Sequence, residues 1–84
     1  MEYNLHTVAI SAGVLAVRCE TCGRRAALGA DRPPIYRGNM TPVSSLDLRC
    51  QTCGEKDHFA LYIPFNQNEV EAFLRGEDME HRRA

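Results

Sequence analysis

In LHTVAISAGVLAVRC, Val8 and Ile10 alternate with Thr7 and Ala9, and a second apolar run begins at Val14. Alternation with a period of two is the mark of a strand with one buried face. The three residues between the runs end in Gly13, a residue type that a bulged hairpin turn favours because glycine enters positive φ without a side-chain clash. The pattern predicts an N-terminal β-hairpin whose second strand, Val14 to Arg18, delivers Cys19. RRAAL reads as a short return strand, and SSLDLRC puts Leu46 and Leu48 on one face and delivers Cys50. HFALYIPF sets Phe59, Leu61 and Ile63 against His58, Ala60 and Tyr62 and predicts a further strand.

The period changes after Pro64. In NQNEVEAFLRG, Val70, Phe73 and Leu74 fall at helical spacing, Asn66 with Glu69 or Asn68 with Glu71 supplies a capping pair, and Gly76 supplies a stop. A short C-terminal helix over 66–75 follows, with its apolar stripe laid on the sheet. The remaining EDMEHRRA has no apolar periodicity and reads as a frayed polar tail over 76–84, leaving residues 1–75 as a single domain. Between the cysteine pairs, GADRPPIYRGNMTPV carries Pro33, Pro34 and Pro42 with Gly29 and Gly38, which bars a regular helix or a central strand and predicts an irregular loop.

Composition changes this picture at one point. A chain of 84 residues with three Tyr, three Phe and no Trp has few large side chains with which to close a core, so a further constraint is needed. The four cysteines supply it. CETCG starts at Cys19 and CQTCG at Cys50, so Cys19, Cys22, Cys50 and Cys53 form two near-copies of one turn. Two residues between cysteines allow a tight turn that aims both sulfurs at one point, and Gly23 and Gly54 permit the positive φ with which the turn folds back. Four thiolates close a tetrahedral shell around one ion and leave no position for water or substrate, which is the arrangement of structural zinc. Disulfides within each pair are the competing reading. MEYNLHTVAI has an acid at position 2 and no basic leader before an apolar run, so a reducing cytoplasmic setting is expected, where paired cysteines serve as metal ligands. No run of about 18 apolar residues is present to form a membrane helix.

These two knuckles resemble the zinc-ribbon group, in which Cys-x-x-Cys turns on adjacent β-hairpins share one zinc ion. CQTCGEKDHF is also similar to the second knuckle of rubredoxins, which hold iron in four thiolates and carry electrons. The resemblance implies a small, metal-stabilised, β-rich domain. The chain departs from the rubredoxin pattern in having Arg24 and Arg25 where a Tyr follows the first knuckle, Thr52 where a Pro lies in the second, and no Trp. Soft S₄ sites suit either metal, and these departures weigh toward one structural Zn²⁺.

Charge is divided along the chain, although the net value is only −1. Arg18, Arg24, Arg25, Arg32, Arg37 and Arg49 face only Glu20, Asp31 and Asp47 in the same stretch, whereas acids exceed arginines from Asn66 onward. Knuckle arginines suit phosphate, so a nucleic-acid partner is one expectation. The near-neutral total falls short of a dedicated nucleic-acid footprint and favours a protein partner, for which Arg24, Arg25, Tyr36 and Arg37 are the candidate contacts. Met40 belongs to the same loop. The bland alternative has Ile35 and Tyr36 tucked beneath the loop as core. His6, His58 and His81 have no nucleophile or carboxylate constellation, so no enzyme is expected. The reading is a non-catalytic adaptor or inhibitor.

Overall fold

The computed structural model describes residues 3–29, 35–46, 48–54, 56 and 58–84. Its centre is a three-stranded antiparallel sheet of β1 (Leu15–Cys19), β2 (Arg25–Leu28) and β3 (Phe59–Tyr62), in the order β2-β1-β3. The central position explains the sequence LAVRC, in which four of the five residues are buried. Register sorts the side chains: Val17 pairs with Ala26 and Leu61 on one face, and Ala16 pairs with Ala27 and Tyr62 on the other.

The first face is covered by the N-terminal segment and the inter-knuckle loop, where Leu5, Val8, Ile35, Val43 and Ile63 close over Leu15 and Val17. The predicted N-terminal hairpin is corrected here. Residues Leu5–Ala9 form a short helix, α1, whose N-cap Asn4 accepts from Thr7 N at 2.9 Å. Leu5 and Val8, three residues apart, both point into the core, while Ile10 is 54% exposed. A strand would have buried Ile10 beside Val8. Helical spacing buries Leu5 with Val8 instead, and the Asn4 cap satisfies an amide that a strand would have paired elsewhere. Gly13, at φ +74°, closes the connection into β1 by donating to Val8 O at 3.0 Å. The strand expected in SSLDLRC is also corrected. Val43–Ser45 is a single 3₁₀ turn, and among the described residues of SSLDLRC strand pairing is confined to Arg49, bridged to Lys56. Asp47 lies outside the described residues.

The second face carries α2 (Gln67–Leu74), and Phe73 packs with Tyr62 over Ala16 and Ala60. Two alanines leave room for the rings, whose centroids are 5.2 Å apart at a tilt of 50°. The predicted cap at Asn66 is present: its side chain accepts from Glu69 N at 2.9 Å, while Glu69 reaches back one residue further, to Phe65 N at 2.7 Å. Gly76, at φ +111°, ends the helix where positive φ is needed.

The tail is not frayed. Met79 is buried against Ala16 and Phe73, and Glu80–Arg82 form a 3₁₀ turn. Ile63 N donates to Arg82 O at 2.9 Å and Ala84 N to Leu61 O at 2.8 Å, which lays the chain end along the outer edge of β3. The tail thus packs into the α2 face through Met79 and pairs with the edge of β3 through Arg82–Ala84. No helix among the described residues is long and apolar enough to cross a membrane.

Candidate metal centre

Both knuckles start from the same end of the sheet. β1 carries Cys19 to its last position, and the Arg49–Lys56 bridge holds the second turn before β3 begins. The turns repeat each other in detail: Gly23 N donates to Cys19 O at 2.8 Å and Gly54 N to Cys50 O at 2.8 Å. Gly23 and Gly54 lie at φ +81° and +75°. A Cβ at either position would meet nothing within 4 Å, so the need for glycine is one of backbone conformation and not of space. Glu20 N donates to His58 O at 2.8 Å, which ties the first turn to the start of β3. Arg24 Nη1 donates to Thr52 Oγ1 at 2.8 Å and links the two turns side by side.

The result is a cluster of four sulfurs within 4.8 Å of one another. Close separations run between the knuckles, Cys19 to Cys53 at 3.6 Å and Cys22 to Cys50 at 3.5 Å. Thiolates about 2.3 Å from an ion at tetrahedral vertices lie about 3.8 Å apart, so the spacing fits four-coordinate zinc or iron. None of the four cysteines is joined in a disulfide. Cys19 and Cys50, the first of each pair, are buried, whereas Cys22 and Cys53 are exposed.

Electrostatics in the turns favour thiolate. The backbone N–H groups of Cys53 and Thr52 address the Cys50 sulfur and lower its thiol to about 6, against the cost of desolvation. Cys19 is lowered in the same way, first by the Cys22 N–H and then, against desolvation, by the Thr21 N–H. The Arg24 N–H pulls Cys22 down, but desolvation and its Cys50 and Cys19 neighbours leave that thiol raised while the sulfurs must share protons. A cation among them removes that competition, because each ligand then binds as thiolate. The residues fit a metal ion by donor type, spacing and second-layer N–H···S bonds.

A scan against protein-family models, a search of curated proteins and a search of solved structures each found no match to this chain. What the geometry establishes is a small antiparallel domain with a four-cysteine site suited to a structural metal ion.

The other predicted site residues are dispersed. Arg24 is exposed at the knuckles, and Tyr36 and Arg37 are exposed on the inter-knuckle loop. Ile35 is tucked into the core as expected, but Tyr36 is 58% exposed, so the loop buries one of the two and presents the other. Arg25 is not a free knuckle arginine. Its guanidinium lies 4.8 Å from the centroid of the Phe73 ring, donates to Phe73 O at 3.1 Å and pairs with Asp78 at 2.6 Å. Arg18, directly opposite Arg25 across β1 and β2, shares the same Asp78 oxygen at 2.6 Å. Like charges facing each other across two strands repel, and the shared carboxylate offsets this. Sequence reasoning missed this triad. The hairpin register places Arg18 opposite Arg25 and so demands an acid, but nothing local points to Asp78. His58 is exposed beside the second knuckle and supplies its carbonyl to Glu20, while the four sulfurs form the cluster without it.

Proposed function

We propose that this chain is a non-catalytic module in which one structural zinc ion ties the two knuckles, and that it serves as an adaptor or inhibitor by docking on another protein in a reducing compartment. The observation that carries the first half is the closed donor set: four thiolates fill a tetrahedral shell and leave no position at which a substrate coordinates. The second half draws on the inter-knuckle loop. Its backbone is fixed by His6 N to Asn39 O at 2.7 Å, Leu5 N to Thr41 O at 3.0 Å and Gly38 N to His6 Nδ1 at 2.9 Å. On this fixed frame Tyr36 and Met40 are 58% and 60% exposed, with Arg37 between them. Aromatic, Met and Arg side chains are enriched at interfaces, and a backbone already held in place spares the entropy of ordering the loop. The nucleic-acid alternative draws on fewer arginines than the sequence offers, because the guanidinium groups of Arg18 and Arg25 are both engaged by Asp78.

Affinity capture with the zinc-loaded chain, repeated after nuclease treatment, tests this reading. A protein partner retained after nuclease and lost with Tyr36→Ala and Met40→Ala is the expected result. Binding to bare nucleic acid that weakens steeply with salt and disappears with Arg24→Glu would replace it with the alternative.

A further inference from the structure

The sheet treats its two edges differently. β3 is covered by Arg82–Ala84 through backbone bonds, whereas β2 has no partner on its outer side among the described residues. Cys19 N donates to Arg24 O at 2.8 Å, which sets the alternation of the β1–β2 ladder. Ala26 and Leu28 therefore bond inward to β1, and the N–H and C=O groups of Arg25 and Ala27 point outward. An edge arginine ordinarily guards such a strand by standing in its way. Here the Arg25 side chain is drawn onto Phe73 and Asp78 and does not stand over the edge, and Ala27 is exposed.

Beside this edge lies an apolar hollow of about 230 Å³, with Val17, Ala26, Leu28, Leu48 and Phe59 among its walls. A second hollow of about 360 Å³ shares the walls Leu48 and Phe59 with it and reaches Val43, Leu46 and Leu61. The inward face of β2, Ala26 and Leu28, borders the first of them, so alternate side chains of an added strand would lie over its mouth. At the knuckle end Arg24 and Arg49 line the same hollow, and neither has an ion pair among the described residues.

From these three features we infer that β2 is a docking edge for an extended segment of a partner protein, one with apolar residues at alternate positions and carboxylates at the end that meets Arg24 and Arg49. Main-chain bonds to Arg25 and Ala27 hold the segment, the hollow selects alternate apolar side chains, and the two arginines set its direction. This rests on the reading of the chain as a protein-docking module and names a surface distinct from the Tyr36 loop.

The probe is a synthetic peptide, Asp-Asp-Val-Thr-Val-Thr-Val, titrated into the zinc-loaded full chain and followed by amide NMR. The expected result is saturable shifts with slowed exchange at Arg25 and Ala27, and binding about tenfold weaker in Ala27→Pro, which removes one outward N–H that an edge strand does not need for folding. A Lys-Lys version of the peptide should bind at least about fivefold more weakly, and Arg24→Glu with Arg49→Glu should reverse that preference. The reversal cannot come from a misfolded variant. Absence of shifts, shifts confined to the Tyr36 loop, self-association through β2, or indifference to the charge reversal would overturn the inference. Retention of a partner through Tyr36 and Met40 would meanwhile leave the docking reading intact.

Discussion

The two ends of the sheet are held by different physics. At the α1 and α2 end, Leu5, Val8, Leu15, Tyr62 and Phe73 are fully buried, and apolar packing on both faces fixes the strands. At the knuckle end, residues 20–24 and 51–54 are exposed, and the buried groups there are the sulfurs of Cys19 and Cys50. Apolar burial is non-directional and divided among many residues, whereas a four-thiolate site is directional and fails as a unit. The first end should therefore tolerate single losses that the second does not.

The largest effect should follow from breaking the thiol set. Structural zinc sites of this kind contribute roughly 10–16 kcal/mol of binding free energy at neutral pH, which is also folding free energy. Cys50→Ser should release the ion and disorder residues 19–24 and 50–54, read as loss of amide dispersion there by NMR. Acid should do the same. Because Cys50 in the metal-free chain is lowered to about 6 from an ordinary 9.0, its thiolate there contributes stability that is present above the ordinary value and lost as pH falls through about 6, and a bound cation holds the thiolates to lower pH still. In the metal-loaded chain the knuckles should open only below about 6, and before the packed end responds.

Phe73→Ala attacks the other end. Removing a fully buried ring that touches Tyr62 and Arg25 should cost about 3–5 kcal/mol in denaturant unfolding, with the metal content of the folded fraction unchanged. Loss of metal from folded F73A protein would show that the two ends are not independent. Asn66→Ala, which deletes the cap of α2, should cost about 1 kcal/mol and leave the knuckles unaltered. The smallest effect concerns the tail. Arg25 and then Arg18 hold the Asp78 carboxyl below its ordinary 3.8, so this ion pairing keeps its contribution to the tail above that value and loses it as pH falls further. In acid the tail resonances should therefore move after the knuckle resonances, and Asp78→Asn should remove this last transition.

The same contrast explains what the sequence disclosed. The knuckles were legible because ligand spacing is local: two residues between cysteines and a glycine after each pair specify the turn without reference to the rest of the chain. β1, β2, β3 and α2 were legible from their periods and, for α2, from Asn66. The N-terminal helix was not, because a five-residue element offers too few positions to separate period two from period 3.6. The Asn4-to-Thr7 cap and the Leu5, Val8 spacing were the available signals. The tail escaped because it is held by one apolar residue, Met79, by backbone pairing with β3 and by an ion pair that joins Asp78 to Arg18 across 60 positions. None of those leaves a periodic trace.

Metal and thiol stoichiometry of the purified chain tests the central claim most directly. The account predicts one zinc ion per chain, four thiols that resist a thiol reagent until a strong chelator is added, and release of the zinc in step with their reaction. A metal-free chain with native amide dispersion, or four thiols that react at once while the knuckles stay ordered, would contradict it.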